Sequence, residues 1–240
     1  MEPLITYFPF GPPVGHAKLP DELVDDLNKG CDDIIKDEEL CKSQDWSQYL
    51  VGHVEQELLI PHDIINKWGR WFGSQVQAYF LGYFNQLFIP EQNILTSSKQ
   101  HVVDAITSSK ITIHQAWYIR SFAGDYNPIH THNDCDLTCV GFLKAPDLSK
   151  ERKKGEGEVE GFHRGSNGAL QLLSNSGSNK EAFFENDEIG FVPKVGNWYL
   201  FPANLRHGVY PFYRSGDERR TFSINMTTDA FIKRGHSSSK

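Results

Sequence analysis

Between residues 111 and 225 the chain is a succession of short β-type runs cut by turns, and this pattern restricts the fold more than any other feature. Residues 111–120, 137–143, 188–192, 197–201 and 219–225 carry β-branched and aromatic side chains, and 168–173 is a further short apolar run. The stretches between them carry the Gly, Pro, Asn and Asp of turns, as at 124–128, 145–147, 193–196 and 214–217. Many short strands at such spacing predict an antiparallel sandwich or barrel. The N-terminal third has a different pattern. Ile64, Ile65, Trp68, Trp71, Phe72, Val76, Tyr79, Phe80, Tyr83, Phe84 and Leu87 recur every three or four residues, which predicts a helix over 64–87 packed on the sheet, with Asp63 as its N-cap. A second helix is expected to start near Asp21 and stop at Gly30, with an acidic, loosely ordered stretch over 32–45. The expected organisation is a single domain over 1–240. It has a helical or irregular support region over about 1–100, a β-barrel over about 101–232 and a polar tail over 233–240.

Composition narrows the function classes. A net charge of −7 gives no electrostatic footprint for nucleic acid or an anionic membrane, so neither is expected as a partner. No apolar run reaches the length of a membrane span, and the N-terminus lacks the basic and apolar regions of a signal peptide. A cytoplasmic location is expected. Cys31, Cys41, Cys135 and Cys139 form no CxxC pair and read as reduced thiols.

The chemistry concentrates at residues 127–134. Read as a strand, this stretch projects His130, His132 and Asp134 to one side, a dense set of metal ligands. A facial site for non-haem iron needs two imidazoles and a carboxylate, with the opposite positions left open. His132 and Asp134, two apart on a strand, supply two of these, and His207 from a distant strand supplies the third. His130 is the alternative near ligand in place of Asp134. Arg219 and Thr221 share a strand face, so a guanidinium and a hydroxyl are placed to grip one carboxylate of a dicarboxylate co-substrate. Arg220 points the other way. Tyr118 shares a face with Arg120 and is a further candidate for co-substrate contact. The remaining histidines, such as His16, His53, His114 and His163, read as structural or surface groups. The charged stretch 147–160 reads as a surface loop that covers or recognises substrate.

At these residues the chain resembles the 2-oxoglutarate- and iron(II)-dependent oxygenases, and within them the small bacterial and phage proteins related to prolyl hydroxylases. The resemblance is carried by Trp117-Tyr-Ile-Arg120, Asn127-Pro-Ile-His-Thr-His132, residues 137–146, residues 195–202, His207-Gly-Val-Tyr-Pro-Phe212 and residues 218–225. It implies a mainly β chain with N-terminal helices, its core a double-stranded β-helix (jelly roll, cupin-like) with the long helix packed on it. It implies Fe(II) held by the ligand triad, and 2-oxoglutarate as co-substrate held by Arg219 and Thr221. It implies dioxygen as oxidant, succinate and carbon dioxide as products, and hydroxylation of a C–H bond in a peptide or protein residue, a prolyl residue among the candidates. Two rivals remain at this level. One is a cupin-type metalloenzyme using His130, His132 and His207 without 2-oxoglutarate, and the other is a jelly-roll binding module with no enzymatic activity.

Overall fold

A computed structural model describes residues 4–7, 12–49, 52–87, 96–151, 167–173 and 188–230. Most of the charged stretch 147–160, the Phe183-Phe184 pair and the tail 233–240 lie outside these residues. Among the described residues there are four α-helices: α1 (Asp21–Lys36), α2 (Glu38–Gln44), α3 (His62–Leu87) and α4 (Thr96–Thr107). The strands are β1 (Ile5–Tyr7), β2 (Val14–Lys18), β3 (Gln56–Leu59), β4 (Ile111–Ser121), β5 (Asn127–His130), β6 (Leu137–Lys144), β7 (Leu170–Leu173), β8 (Glu188–Phe191), β9 (Asn197–Pro202), β10 (Arg206–Val209) and β11 (Arg219–Thr228). They form a seven-stranded sheet in the order β1-β2-β9-β6-β11-β4-β3 and a four-stranded sheet in the order β5-β10-β7-β8. Every pairing is antiparallel. This is the two-sheet jelly roll expected from the sequence.

The larger sheet is buried on both faces, which is why its strands read as apolar runs rather than alternating ones. Phe222, Ile224 and Met226 of β11, Trp198 and Leu200 of β9 and Tyr118 of β4 pack outward against α1 and α3. Val140 and Phe142 of β6 and Tyr199 and Phe201 of β9 pack inward against Leu170 and Leu172 of the smaller sheet. The aromatic stripe of α3 forms core: Trp71 meets Trp198 edge-on at 5.4 Å, and Phe72 meets Phe222 at 6.1 Å. Helix α3 begins at His62, so Asp63 lies in its first turn rather than at the cap. Among the described residues no helix is long and apolar enough to cross a membrane.

The structure corrects the expected end of α1. The helix continues through Gly30 to Lys36 because this glycine marks a close crossing rather than a stop. A Cβ at Gly30 would lie 2.4 Å from Ile64 Cδ1 and 2.9 Å from the Tyr118 hydroxyl. The acidic stretch that follows is also ordered. Asp37 caps α2, its carboxylate accepting from the Glu39 and Leu40 amides at 3.1 and 3.0 Å. Strands β1, β2 and β3 within the support region were not expected.

One charge network joins the helices to the sheet. Arg220, on the outward face of β11, donates to Glu218 through Nε at 2.8 Å and Nη2 at 2.9 Å, and pairs with Asp32 of α1 at 2.8 Å. Arg120 and Lys144 also donate to Glu218, at 2.8 and 3.0 Å. Burial pushes the Glu218 carboxyl upward, but the hydrogen bonds from Arg220, Arg120 and Lys144 outweigh it and hold the group down at about 2. An unfolded glutamate titrates at roughly 4.3. The network's contribution is therefore full above the unfolded value and is lost as pH falls toward the folded one. Glu218→Gln is expected to lower stability by about 3 kcal/mol at neutral pH, because it removes the buried charge that three cations share and leaves Asp32 alone to face Arg220 and Lys144. In denaturant melts the gap between wild type and variant should shrink steadily between about pH 4.5 and 2.

Candidate active site

The inward face of the barrel holds a cavity of about 290 Å³ between the two sheets. Along β11 every second side chain enters it: Arg219, Thr221, Ser223 and Asn225. The neighbouring β4 contributes Trp117 and Ile119, which pair with Ser223 and Thr221. Strand β5 brings His130 opposite His207 of β10, and His132 follows in the turn after β5.

Nitrogen atoms of His130, His132 and His207 all lie within 4.8 Å of one another. Each ring faces an acceptor with its Nδ1. The partners are the Pro128 carbonyl at 2.7 Å for His130, Asn225 Oδ1 at 2.8 Å for His132 and the Leu205 carbonyl at 2.8 Å for His207. An oxygen acceptor of this kind fixes the Nδ1–H tautomer and leaves the Nε2 lone pair facing the cluster. Burial lowers His207 to about 3 and His132 to about 4, and repulsion from neighbouring imidazoles adds to it. Both rings are neutral at physiological pH, the form that binds metal.

The Nε2 atoms of His132 and His207 stand 3.1 Å apart. Two lone pairs that close have no hydrogen bond to share. The spacing suits two nitrogens bound side by side to one ion at roughly 2.1 Å each. The donor set therefore fits a divalent transition metal.

Asp134 is not brought into this group. β5 ends at His130, so the alternation of a strand does not extend to Asp134, which is exposed and takes a left-handed backbone with φ of 59°. Tyr118 faces the other way from the cavity. Its side chain is buried in the helix-side core, its hydroxyl close to Gly30, and burial raises its phenol far above the usual range. The parity of β4 turns Trp117 and Ile119 inward and Tyr118 and Arg120 outward, so Tyr118 is no co-substrate contact.

At the opposite end of the cavity-facing row of β11 stands Arg219, 1% exposed. Its Nε donates to the Gly168 carbonyl at 3.0 Å, and its guanidinium lies 5.4 Å from the Phe142 ring centre. Gly168 takes a φ of 68°, a conformation that costs glycine little. Nη1 and Nη2 of Arg219 have no hydrogen-bond partner among the described residues. Burial pulls the guanidinium down to about 10, so it is still charged at neutral pH. A buried cation with two free donors side by side is a receptor for a carboxylate. Thr221, in the same cavity, adds a hydroxyl.

Asn225, Trp117 and Glu57 also line the cavity and were not singled out in the sequence. Asn225 was accessible by extending the alternation of Arg219 and Thr221 along the same strand. Trp117, whose ring stacks on His132 at 5.8 Å, and Glu57 gave no such signal.

Residues 115–225 match a family model described as "Putative 2OG-Fe(II) oxygenase". The match spans a little under half of the chain and makes this segment similar to the 2-oxoglutarate- and iron(II)-dependent oxygenases. Iron(II) and 2-oxoglutarate are the cofactor and co-substrate of such an oxygenase. Among solved structures, a prolyl-4-hydroxylase from Pseudomonas putida is similar over 89% of this chain and 91% of its own, at a TM-score of 0.52 and 14% identity. At that identity the likeness speaks to the fold. A prolyl hydroxylase from Trichoplax adhaerens, in complex with a hypoxia inducible factor peptide fragment, matches at 0.48 and 13% identity, over 89% and 83% of the two chains. The viral collagen prolyl hydroxylase of Paramecium bursaria Chlorella virus-1 matches at 0.43 and 14%, over 89% and 94%. A search of curated proteins by sequence found no match.

If the three histidines hold a metal ion, His130→Ala, His132→Ala and His207→Ala should each weaken manganese(II) binding by more than about 100-fold, read by calorimetry without dioxygen. Asn225→Ala, which frees the His132 ring, should weaken it by roughly 10-fold, and Asp134→Ala by less than about 3-fold.

Proposed function

We propose that the protein is an iron(II)- and 2-oxoglutarate-dependent dioxygenase that hydroxylates a C–H bond in a peptide or protein residue. The observation that carries this reading is the buried Arg219, whose two terminal nitrogens lack partners in the same cavity as three converging imidazoles. His130, His132 and His207 would hold the metal, and Arg219 with Thr221 would hold the distal carboxylate of 2-oxoglutarate. When bound, iron(II) and 2-oxoglutarate supply oxidising power from dioxygen: 2-oxoglutarate becomes succinate and carbon dioxide, and one oxygen atom enters the substrate C–H bond.

The protein's own contribution is binding, orientation and exclusion of water. Arg219 is positioned before any ligand arrives, by the Gly168 carbonyl and the Phe142 ring, so little ordering entropy remains to be lost on binding. Asn225 holds the His132 ring in register, and Trp117 stacks against its face. Val140, Leu170 and Ile119 provide apolar wall between the two polar ends. The Pseudomonas putida relative is a prolyl-4-hydroxylase. A prolyl residue is accordingly the first substrate to test, by mass spectrometry for the gain of one oxygen.

A second reading has an observation of its own. Among the described residues all three converging groups are imidazoles, with no carboxylate among them. That is the donor set of a three-histidine metalloenzyme in which Arg219 has no part. Succinate formation separates the two. Arg219→Met should raise the 2-oxoglutarate KM by about 100-fold, two charge-assisted hydrogen bonds being worth roughly 3 kcal/mol or more together. Arg219→Lys should recover part of that loss, and circular dichroism should confirm that both variants are folded. A protein that binds manganese(II) through its histidines and forms no succinate would favour the second reading.

A further inference from the structure

The metal centre and the co-substrate anchor leave one buried acid of the cavity unused. Glu57 of β3 pairs with Ile119 of β4 and is 2% exposed, and it lines the same cavity as Trp117, Asn127 and Arg219. Among the described residues no cation pairs with it; the Asn127 side chain donates a hydrogen bond to it. Arg219 does not neutralise it, since both guanidinium termini are without partners. The cavity thus contains a cation and an acid that do not meet. The charges near Glu57 are of its own sign. Asp45, bridged to Leu58 on the same strand, adds repulsion, and Glu55 lies two residues away. Burial pushes the carboxyl up to about 8, against the pull of Asn127 and with help from Asp45.

A buried carboxyl with no cation is costly, and a glutamine would satisfy Asn127 without that cost. A cation and a buried acid that do not meet imply two ligands, the acid giving up its proton when a cationic group comes to face it. The arginine suits the dianionic co-substrate, and the acid suits what enters beside it.

We propose that Glu57 is a specificity residue for the prime substrate, its carboxylate accepting a hydrogen bond from the protonated nitrogen of a basic peptide residue that enters the cavity. This deepens, and rests on, the reading of the protein as a peptide-directed oxygenase. The acidic neighbours favour a cationic donor over a neutral one.

Matched short peptides, identical except for lysine against norleucine or arginine against citrulline, test it. They are titrated calorimetrically into the protein loaded with manganese(II) and 2-oxoglutarate, without dioxygen. Wild type is expected to bind the basic member of a pair about 10-fold tighter or more. Glu57→Gln should bring that ratio to about 1 and Glu57→Asp should keep part of it. Glu22→Gln, which removes a charge from the exposed face of α1, should keep the wild-type ratio. Because the ratio is taken within each variant, a loss of folded fraction does not imitate the effect. Wild type binding both members alike, wild type binding neither, or an unchanged ratio in Glu57→Gln would each overturn the proposal. Succinate formation is followed separately. Its absence counts against the oxygenase reading itself, whereas succinate with a ratio of one removes only the role of Glu57.

Discussion

The two-faced burial of β11 is the constraint on which the rest of the molecule depends. Its even-numbered residues Phe222, Ile224 and Met226 are core on the helix side, and its odd-numbered residues Arg219, Thr221, Ser223 and Asn225 line the cavity. A slip of one residue would put a guanidinium into the aromatic core and phenylalanine into the site. Register is fixed from the side as well. The Phe222 ring lies over Gly141 of β6 so closely that a Cβ there would fall 2.1 Å from its edge. Arg219, the proposed co-substrate anchor, and Asn225, which holds the His132 ring, are therefore placed by the same packing that holds the fold together, which is how a site acquires rigid geometry.

Two adjacent arginines show what separates structure from function in this strand. Arg220 and Arg219 are almost equally buried. Arg220 is fully engaged: a fork onto Glu218, an ion pair with Asp32, and contacts to the Asn28 carbonyl and side chain at 3.2 Å. Arg219 has a single carbonyl and the face of a ring. Removing a guanidinium from water costs several kcal/mol, and only Arg220 recovers that within the protein. The deficit at Arg219 is of the kind that persists where a ligand supplies the missing partner.

How much of this was legible in the sequence follows from which groups are chemically distinctive and which depend on backbone parity. The strand-and-turn pattern from residue 111 onward indicated an antiparallel sandwich or barrel, the family resemblance narrowed it to the jelly roll, and the 3.6-residue period of the aromatic stripe indicated α3. The clustered histidines and Arg219 stood out because such side chains have few other reasons to gather in one segment. Asp134 looked equivalent to His130 and His132 only on the premise that one strand ran through all three. That strand stops at His130, and the left-handed residue at Asp134 breaks the alternation. Tyr118 was misplaced by a single residue of parity on β4, and nothing local in a strand buried on both faces reveals which side is the cavity. Gly30 imitated a helix stop because sequence cannot distinguish a glycine that ends a helix from one that lets a helix approach a neighbour. The short edge strands β1 to β3 owe their existence to pairing with distant partners, so their local sequence carries little of it.

The origin of each cavity group divides the labour of the site. His130, His132, His207, Arg219, Thr221 and Asn225 all fall within residues 115–225, the segment that matches the oxygenase family. Glu57 comes from β3, outside that segment, on the edge of the larger sheet. Arg219, Thr221 and Asn225 sit on β11, a central strand whose register the core enforces, and His207 sits on β10 between β5 and β7, while His130 lies on β5 at the edge of the smaller sheet. The prime substrate makes demands of its own, and β3 can meet them with little disturbance of β11, since it pairs in the sheet with β4 and is covered on its outer side by the short segment 45–47. Had the acid of Glu57 been built on β11, changing it would have disturbed both the Arg219 anchor and the helix-side core. On β3 it touches the cavity from the rim of the scaffold, so the chemistry of the barrel and the choice of what enters it are free to vary separately.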